Sequence, residues 1–194
     1  EEGPLAESLV LEIGIQLSSA LKYMHALGYM HRDVKPDNIL FVDDKRVKLI
    51  DFGLACAFDD SRLTKEGTFI GTPGYVAPEN IRQYRAPDPS SDIYALGATF
   101  YEMITGKPPF EGGSAAEVML QHIQEQVISP KEIDRSIPDR YCRIIEKMMA
   151  KDREDRYQDP AELLADLRLL ATGGAPRNAG LARRRRSASS SAGS

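Results

Sequence analysis

The chain has 194 residues, of which 42% are hydrophobic, and this suits one globular domain with a core of its own. Its net charge is −4, but five arginines and no acid stand from Gly173 onward, so the preceding 172 residues carry −9. Such an acidic body argues against nonspecific nucleic-acid binding as the main function. No run of 18 apolar residues exists and the acidic start EEGPLAES is no signal peptide, so no membrane segment is predicted.

The first predicted element is an amphipathic helix, with Pro4 in its first turn and Gly28 at its end. A glycine inside this helix, Gly14, costs roughly 1 kcal/mol of helix stability, so we expect a closely packed partner opposite it. The apolar residues that mark the helical period are Leu5, Leu9, Ile13, Leu17, Leu21 and Met24.

Two short apolar runs follow, NILF and VKLI, and the polar residues between them predict a small β-hairpin. The chain from Asp51 to Pro89 shows no sustained period and is predicted to be irregular. So long an irregular stretch inside a compact domain is usually functional rather than connective.

Four more helices are predicted after Pro89, in SDIYALGATFYEMITG, SAAEVMLQHIQEQ, PDRYCRIIEKMMA and DPAELLADLRLLA. Asp159 is the predicted N-cap of the last one, and Pro160 its first residue. The predicted inward residues are Ile93, Leu96, Phe100 and Met103 in the first, and Tyr141, Ile144, Ile145 and Met148 in the third.

From Gly173 the composition turns to Gly, Ala, Ser and Arg, which cannot bury enough apolar surface to become ordered. We therefore expect a folded domain over 1–172 and a disordered basic and serine-rich tail over 173–194. The segment RRRRSASSS is also compatible with a basic address, with a phosphoacceptor segment, or with the cytoplasmic flank of a membrane helix outside this chain. Cys56 and Cys142 stand in unlike contexts, which favours free thiols in a reducing, cytoplasmic compartment.

The strongest chemical signal is HRDVKPDN, which spans residues 31–38. In-line phosphoryl transfer needs a group that accepts the proton of the attacking hydroxyl, cations over the phosphate oxygens, and ligands for a metal ion. Asp33 suits the first role, Lys35 the second, and Asn38 offers a neutral oxygen to Mg²⁺. The segment DFG brings a carboxylate, Asp51, to the end of the hairpin, which would fold it back beside Asn38.

HRD with Asn five residues later, then DFG, then APE within GTPGYVAPE, resembles in order and spacing the signature of protein kinases. The chain is similar to the C-terminal lobe of eukaryotic-like (Hanks-type) serine/threonine kinases from about Pro4 to Ala171. KPDN and GTPGY resemble the serine/threonine branch, and GATFYEMITGKPPFEG is similar to bacterial members. The resemblance implies a mainly α fold, a helical bundle with a small β-hairpin that carries the catalytic and metal-binding loops.

The resemblance implies ATP as co-substrate, Mg²⁺ (or Mn²⁺) as cofactor and Ser/Thr residues of proteins as acceptors. The active-site roles it implies are a catalytic base (Asp33), a phosphate-contacting lysine (Lys35), metal ligands (Asn38, Asp51), a floor for the adenine (Leu40), and a threonine bonded to the base and the lysine (Thr72). The structural roles it implies are an apolar spine (His31, Phe52), an anchor of the catalytic loop (Asp92) and a buried ion pair (Glu79, Arg156).

The resemblance also places a regulatory phosphothreonine three residues before Gly71, at Thr68, with Thr64 as a weaker second candidate. Arg32 is the nearby cation expected to pair with the phosphate. This pairing would order the loop that follows Asp51.

A kinase also needs a glycine-rich loop, a strand lysine and its partner glutamate, all of which belong to the N-terminal lobe. The 194 residues contain neither a GxGxxG segment nor a VAIK-like strand. We therefore expect the N-terminal lobe to be absent from this chain, supplied in cis in the parent protein. We also expect the chain alone to be inactive, and apolar residues near Ile39 to Phe41 and along the first helix to face water.

Two other functions stay open at this point. One is a non-catalytic, pseudokinase-like module that binds partners. The other is a small-molecule phosphotransferase of the same fold, against which GTPGYVAPE and the Glu79–Arg156 pair argue because they build a platform for a peptide.

Overall fold

The structure is a computed structural model that describes residues 3–51, 55–57, 71–82, 88–174 and 176. The prediction of a mainly α fold is confirmed, and none of the described helices is long and apolar enough to cross a membrane. The helices are α1 (Glu7–Ala26), α2 (Pro78–Arg82), α3 (Ser90–Thr105), α4 (Ala115–Gln124), α5 (Pro130–Ile133), α6 (Asp139–Met148) and α7 (Pro160–Ala171). The strands are β1 (Tyr29–Met30), β2 (Ile39–Phe41), β3 (Val47–Leu49) and β4 (Cys56–Ala57), with 3₁₀ turns at Pro36–Asn38, Pro73–Tyr75 and Arg153–Asp155.

Helix α3 lies at the centre of the core, and every one of its residues except Glu102 is buried. The prediction of a single inward face was too narrow, since a helix covered on all sides has no polar face to expose. Helices α1 and α6 pack against it. Gly14 of α1 meets the ring of Phe100, where a Cβ would come within 2.2 Å of Cζ, so the predicted close partner is confirmed.

Helix α1 begins at Glu7, so the prediction that Pro4 lies in its first turn is wrong. The Leu5 N–H donates instead to the Met103 carbonyl at 2.7 Å, which holds the segment before the helix beside the end of α3. The predicted end is confirmed, because Gly28 adopts φ +80° just after the helix, a conformation that favours glycine.

The predicted hairpin is confirmed as the antiparallel pair β2–β3. Ile39 faces Leu49, and Phe41 faces Val47. The Asp43 carboxylate accepts the N–H groups of Lys45 and Arg46 and so closes the turn.

The described parts of the region from Asp51 to Pro89 are more regular than predicted. Strand β4 pairs with β1, and α2 lies at Pro78–Arg82, directly after the 3₁₀ turn at Pro73–Tyr75. Each element is at most five residues long, too short to show a period in the sequence. Helix α5 was missed for the same reason.

Apolar side chains are exposed along β2, as predicted for Leu40 (52% exposed) and Phe41 (46%). Ile39 is a correction, because it is 8% exposed and joins the core with its cross-strand partner Leu49. Period-2 alternation explains why Leu40 points away from Ile39, whereas Phe41 shares the face of Ile39 and is exposed at the end of the strand. On α1 the exposed apolar residues are Tyr23 and Leu27, in and after its last turn.

Candidate active site

Three of the predicted site residues meet in one hydrogen-bonded triangle. The Lys35 Nζ lies 2.8 Å from the Asp33 Oδ2 and donates to the Thr72 Oγ1 at 2.8 Å. The Thr72 hydroxyl in turn donates to the Asp33 Oδ1 at 2.7 Å. The structure thus brings together a carboxylate, an ammonium group and a hydroxyl from segments almost forty residues apart.

The environment of Asp33 keeps its carboxyl group ionised. Partial burial raises its pKa, but hydrogen bonds from Lys35 and Thr72, the charge of Lys35 and a bond from Asn38 act in the opposite direction. The net result is a pKa below the ordinary value for aspartate. A carboxylate that is ionised near neutral pH can accept a hydrogen bond from a substrate hydroxyl.

Asn38 is buried at the end of the Pro36–Asn38 turn, and its amide nitrogen is committed to Asp33. Nδ2 donates to the Asp33 carbonyl at 2.7 Å and to its Oδ2 at 3.0 Å, so the remaining polar atom of the Asn38 side chain is an oxygen. The Ile50 N–H donates to the Asn38 carbonyl at 2.9 Å, which puts Asp51 next to the paired end of the hairpin.

An amide oxygen and a carboxylate are ligands that Mg²⁺ accepts, with water or phosphate completing the shell. Asp51 is exposed and has φ +63°, a conformation that costs a non-glycine residue about 1–2 kcal/mol. Among the described residues, no three His, Cys, Asp or Glu side chains form a metal cluster. The donor chemistry of Asn38 and Asp51 fits a Mg²⁺ ion whose shell water or phosphate would complete.

The loop that leads to Asp33 is anchored to α3 by Asp92, which is 1% exposed. Its carboxylate accepts the His31 N–H at 2.9 Å and the Arg32 N–H at 2.8 Å. Arg32 has φ +68°, so these bonds hold a strained backbone in place directly before Asp33. The His31 ring lies in the core and donates Nε2–H to the Ile50 carbonyl at 3.1 Å.

Sequence reasoning missed the third partner of Asp92, which is His25 of α1. Its Nε2 lies 2.8 Å from the Asp92 Oδ2 and donates to it, because a carboxylate oxygen only accepts. The available signal was a histidine near the C-terminal end of an apolar helix, six residues before His31.

Glu79 and Arg156 lie in contact through two parallel hydrogen bonds of 2.7 and 2.8 Å. The Arg156 side chain is fully buried, and its Nε also donates to the Ala150 carbonyl at 2.7 Å. Burial raises the pKa of Glu79, but the guanidinium outweighs it and the net pKa is lowered. This pair ties α2, which follows the Thr72 turn, to the segment before α7.

A second buried group that sequence reasoning missed is His122 of α4. It is fully buried, with Nδ1 2.8 Å from the Tyr94 hydroxyl and the Phe110 ring edge-on at 4.8 Å. Burial, followed by the positive charge of Lys151, lowers the pKa of His122 to about 4, against a smaller opposing effect from the Gly74 backbone.

The stability of the chain is therefore expected to fall in mild acid. Because the unfolded chain binds a proton at His122 near pH 6.5 and the folded chain only near pH 4, the stabilisation is complete above pH 6.5 and is lost as the pH falls towards 4. From pH 7 to pH 4.5 this amounts to roughly 2 kcal/mol. Urea unfolding of the wild type and of His122→Gln should show a smaller acid loss in the variant, and parallel curves would contradict the assignment.

The remaining predicted residues stand apart from this cluster. Leu40 is half exposed on β2. Phe52, Thr64 and Thr68 lie outside the described residues, and so does most of the segment 173–194.

Comparison with known proteins identifies the family. The sequence profile of the family described as "Protein kinase domain" matches residues 1–166. A probable serine/threonine-protein kinase of Clostridium perfringens (CPE1738) is 40% identical over 86% of this chain and 24% of its own length. A probable serine/threonine-protein kinase of Corynebacterium efficiens (CE0033) is 42% identical over 88% of this chain and 27% of its own length. The serine/threonine-protein kinase PknB of Mycolicibacterium smegmatis is 38% identical over 90% of this chain and 28% of its own length.

The chain thus spans about a quarter of the length of the curated relatives it matches. The matching profile nevertheless covers most of the chain and includes HRD, DFG and APE. The chain belongs to the protein kinase family, in the branch of the bacterial Hanks-type serine/threonine kinases.

Proposed function

We propose that this chain is the catalytic and substrate-binding C-terminal lobe of a kinase that transfers the γ-phosphate of ATP to Ser or Thr residues of proteins. The observation that carries the proposal is the bonded group of Asp33, Lys35, Thr72 and Asn38. Each of these side chains has a use in phosphoryl transfer. Their mutual hydrogen bonds pre-organise them, so that they need no rearrangement when a substrate binds.

In the proposed reaction, Asp33 accepts a hydrogen bond from the substrate hydroxyl and orients its oxygen towards the γ-phosphorus. The new O–P bond forms as the bond to the β-phosphate oxygen breaks, ADP leaves, and the hydroxyl proton passes to Asp33 and then to water. Lys35 lies beside Asp33, and its positive charge offsets the negative charge on the phosphoryl group that is transferred. A bound Mg²⁺, held by Asn38 and Asp51, would neutralise phosphate charge.

Thr72 supports a serine/threonine acceptor, since it bonds both Asp33 and Lys35 and so connects the catalytic loop to the turn at Pro73–Tyr75. The Glu79–Arg156 pair fixes the helix that follows this turn, which suits a rigid platform for a peptide. The names of the relatives agree with this acceptor class.

We further propose that residues 1–172 form the C-terminal lobe, that 173–194 is a solvated tail, and that the N-terminal lobe is supplied by the parent protein. The exposed side chains of Leu40 and Phe41 on β2 offer an apolar surface for that lobe and the adenine. Thr68 is the first candidate for phosphorylation and Thr64 the second. The phosphate would pair with Arg32 and so order the loop that follows Asp51.

The test measures transfer of ³²P from [γ-³²P]ATP to myelin basic protein, with Mg²⁺, by the parent protein and by the 194-residue chain. We expect transfer by the parent and none above background by the chain. Transfer by the chain alone would contradict the lobe assignment. A parent that neither binds ATP nor transfers phosphate would favour the non-catalytic interaction module.

A further inference from the structure

Strand β3 carries Asp51 just beyond its end, and its edge away from β2 is held by a side chain of α1. The Gln16 Nε2 donates to the Lys45 carbonyl at 2.7 Å, and its Oε1 accepts the Val47 N–H at 3.0 Å. One amide group thereby makes the two bonds that a neighbouring strand would make at this position.

The hairpin register explains why these two backbone groups need a partner. Val42 N–H bonds to the Arg46 carbonyl, and Ile50 N–H bonds to the Asn38 carbonyl, so residues 46, 48 and 50 face β2. In an antiparallel pair the alternate residues, here 45, 47 and 49, direct their N–H and C=O groups the other way. The Gln16 side chain covers that free edge where α1 passes beside it.

We propose that Gln16 is a positioning residue for the metal-binding end of the hairpin. Its two bonds fix β3 along α1, while the His31 ring fixes the other end of the same segment through the Ile50 carbonyl. Only two residues, Lys48 and Leu49, lie between the ties at Val47 and Ile50, and Asp51 follows Ile50 directly. The inference rests on the proposed function for the assignment of Asn38 and Asp51 as metal ligands.

Loss of the Gln16 bonds frees one end of β3, and β2 moves with it because the two strands are paired. The backbone carbonyl of Asn38 is part of that pairing, whereas its side-chain amide nitrogen is bonded to Asp33. A displaced hairpin therefore shifts Asp51 relative to the Asn38 side chain. That side chain stays bonded to Asp33, next to the backbone that Asp92 holds in place.

The test compares Gln16→Met, which keeps the length of the side chain but has no amide, with Gln121→Met as a matched control. Gln121 also donates its amide to a backbone carbonyl, that of Glu111 at 3.0 Å, but on α4. Two quantities are measured in the 194-residue chain: hydrogen exchange of the Val47 amide, and the affinity for Mn²⁺ from paramagnetic broadening of the amide signals of residues 38 and 51. Circular dichroism confirms folding.

We expect Gln16→Met to speed exchange at Val47 about 10-fold, the effect of one hydrogen bond, and to weaken Mn²⁺ binding several-fold. Gln121→Met should change neither. Gln16→Glu keeps an acceptor for the Val47 N–H but has no donor for the Lys45 carbonyl, so its exchange rate and Mn²⁺ affinity should lie between those of the wild type and of Gln16→Met. It replaces Gln16→Met in the test if that variant does not fold. Asp51→Asn should abolish binding.

Unchanged exchange at Val47 in both Gln16 variants would overturn the inference, and so would Mn²⁺ affinity equal to that of Gln121→Met. If instead Asp51→Asn binds Mn²⁺ as the wild type does, the proposed metal site is wrong, and the positioning role falls with it. The two failures are thus told apart by the Asp51 variant.

Discussion

Asp33→Asn is expected to lower the rate of phosphoryl transfer by the parent kinase about 10²- to 10⁴-fold, the range of a lost general base. Asparagine has the same shape and can still accept the Thr72 hydroxyl, but it cannot take a proton and has no charge to pair with Lys35. The expected loss is therefore in kcat, with the fold intact.

Steady-state kinetics on myelin basic protein give kcat and KM for the wild type, for Asp33→Asn and for Asp44→Asn. Asp44 is an exposed carboxylate in the hairpin turn and controls for the loss of one negative charge. A rate for Asp33→Asn within 10-fold of the wild type would contradict the role of Asp33 as base. Unfolding midpoints of the variants show whether any loss comes from instability.

Arg156→Ala is expected to lower the free energy of unfolding by about 3–5 kcal/mol, because it leaves the Glu79 carboxylate without its buried partner. The same change strips the Ala150 and Lys151 carbonyls of their donors. Arg156→Lys keeps the charge but loses the two-pronged geometry, so an intermediate loss is expected.

Urea unfolding of the chain provides the measurement, and the exposed pair Lys131–Asp139 provides the comparison. Lys131→Ala should leave the free energy of unfolding within experimental error, since water replaces the contact of an exposed pair. A loss in Arg156→Ala no greater than in Lys131→Ala would show that the buried pair does not stabilise the fold. A double change to Glu79→Leu and Arg156→Met should recover much of the loss.

Residues close together in the chain account for most of what could be predicted. The end of α1 at Gly28, the hairpin, the inward face of α6 and the cap of α7 by Asp159 all depend on local pattern, and all are confirmed. The order of HRD, DFG and APE likewise sufficed to identify the family, because each motif is short and its spacing needs no tertiary information.

The errors and omissions arise where distant segments decide the outcome. The segment before α1 is held by a bond from the Leu5 N–H to the end of α3, and α3 is buried on all sides because its neighbours surround it. The roles of His25 and His122 could not be predicted, since the partners that give them a role lie 67 and 28 residues away in the chain.

The sequence alone determined the family and the residues that carry the candidate chemistry, since these are matters of residue type and order. The resemblance had already implied Asp92 and Thr72 as groups that hold them, but only the tertiary structure showed His25 on Asp92 and Gln16 on the edge of β3. The physical reason is that a hydrogen bond requires two groups within about 3 Å, and spacing along the chain does not determine that distance for segments that meet only after folding.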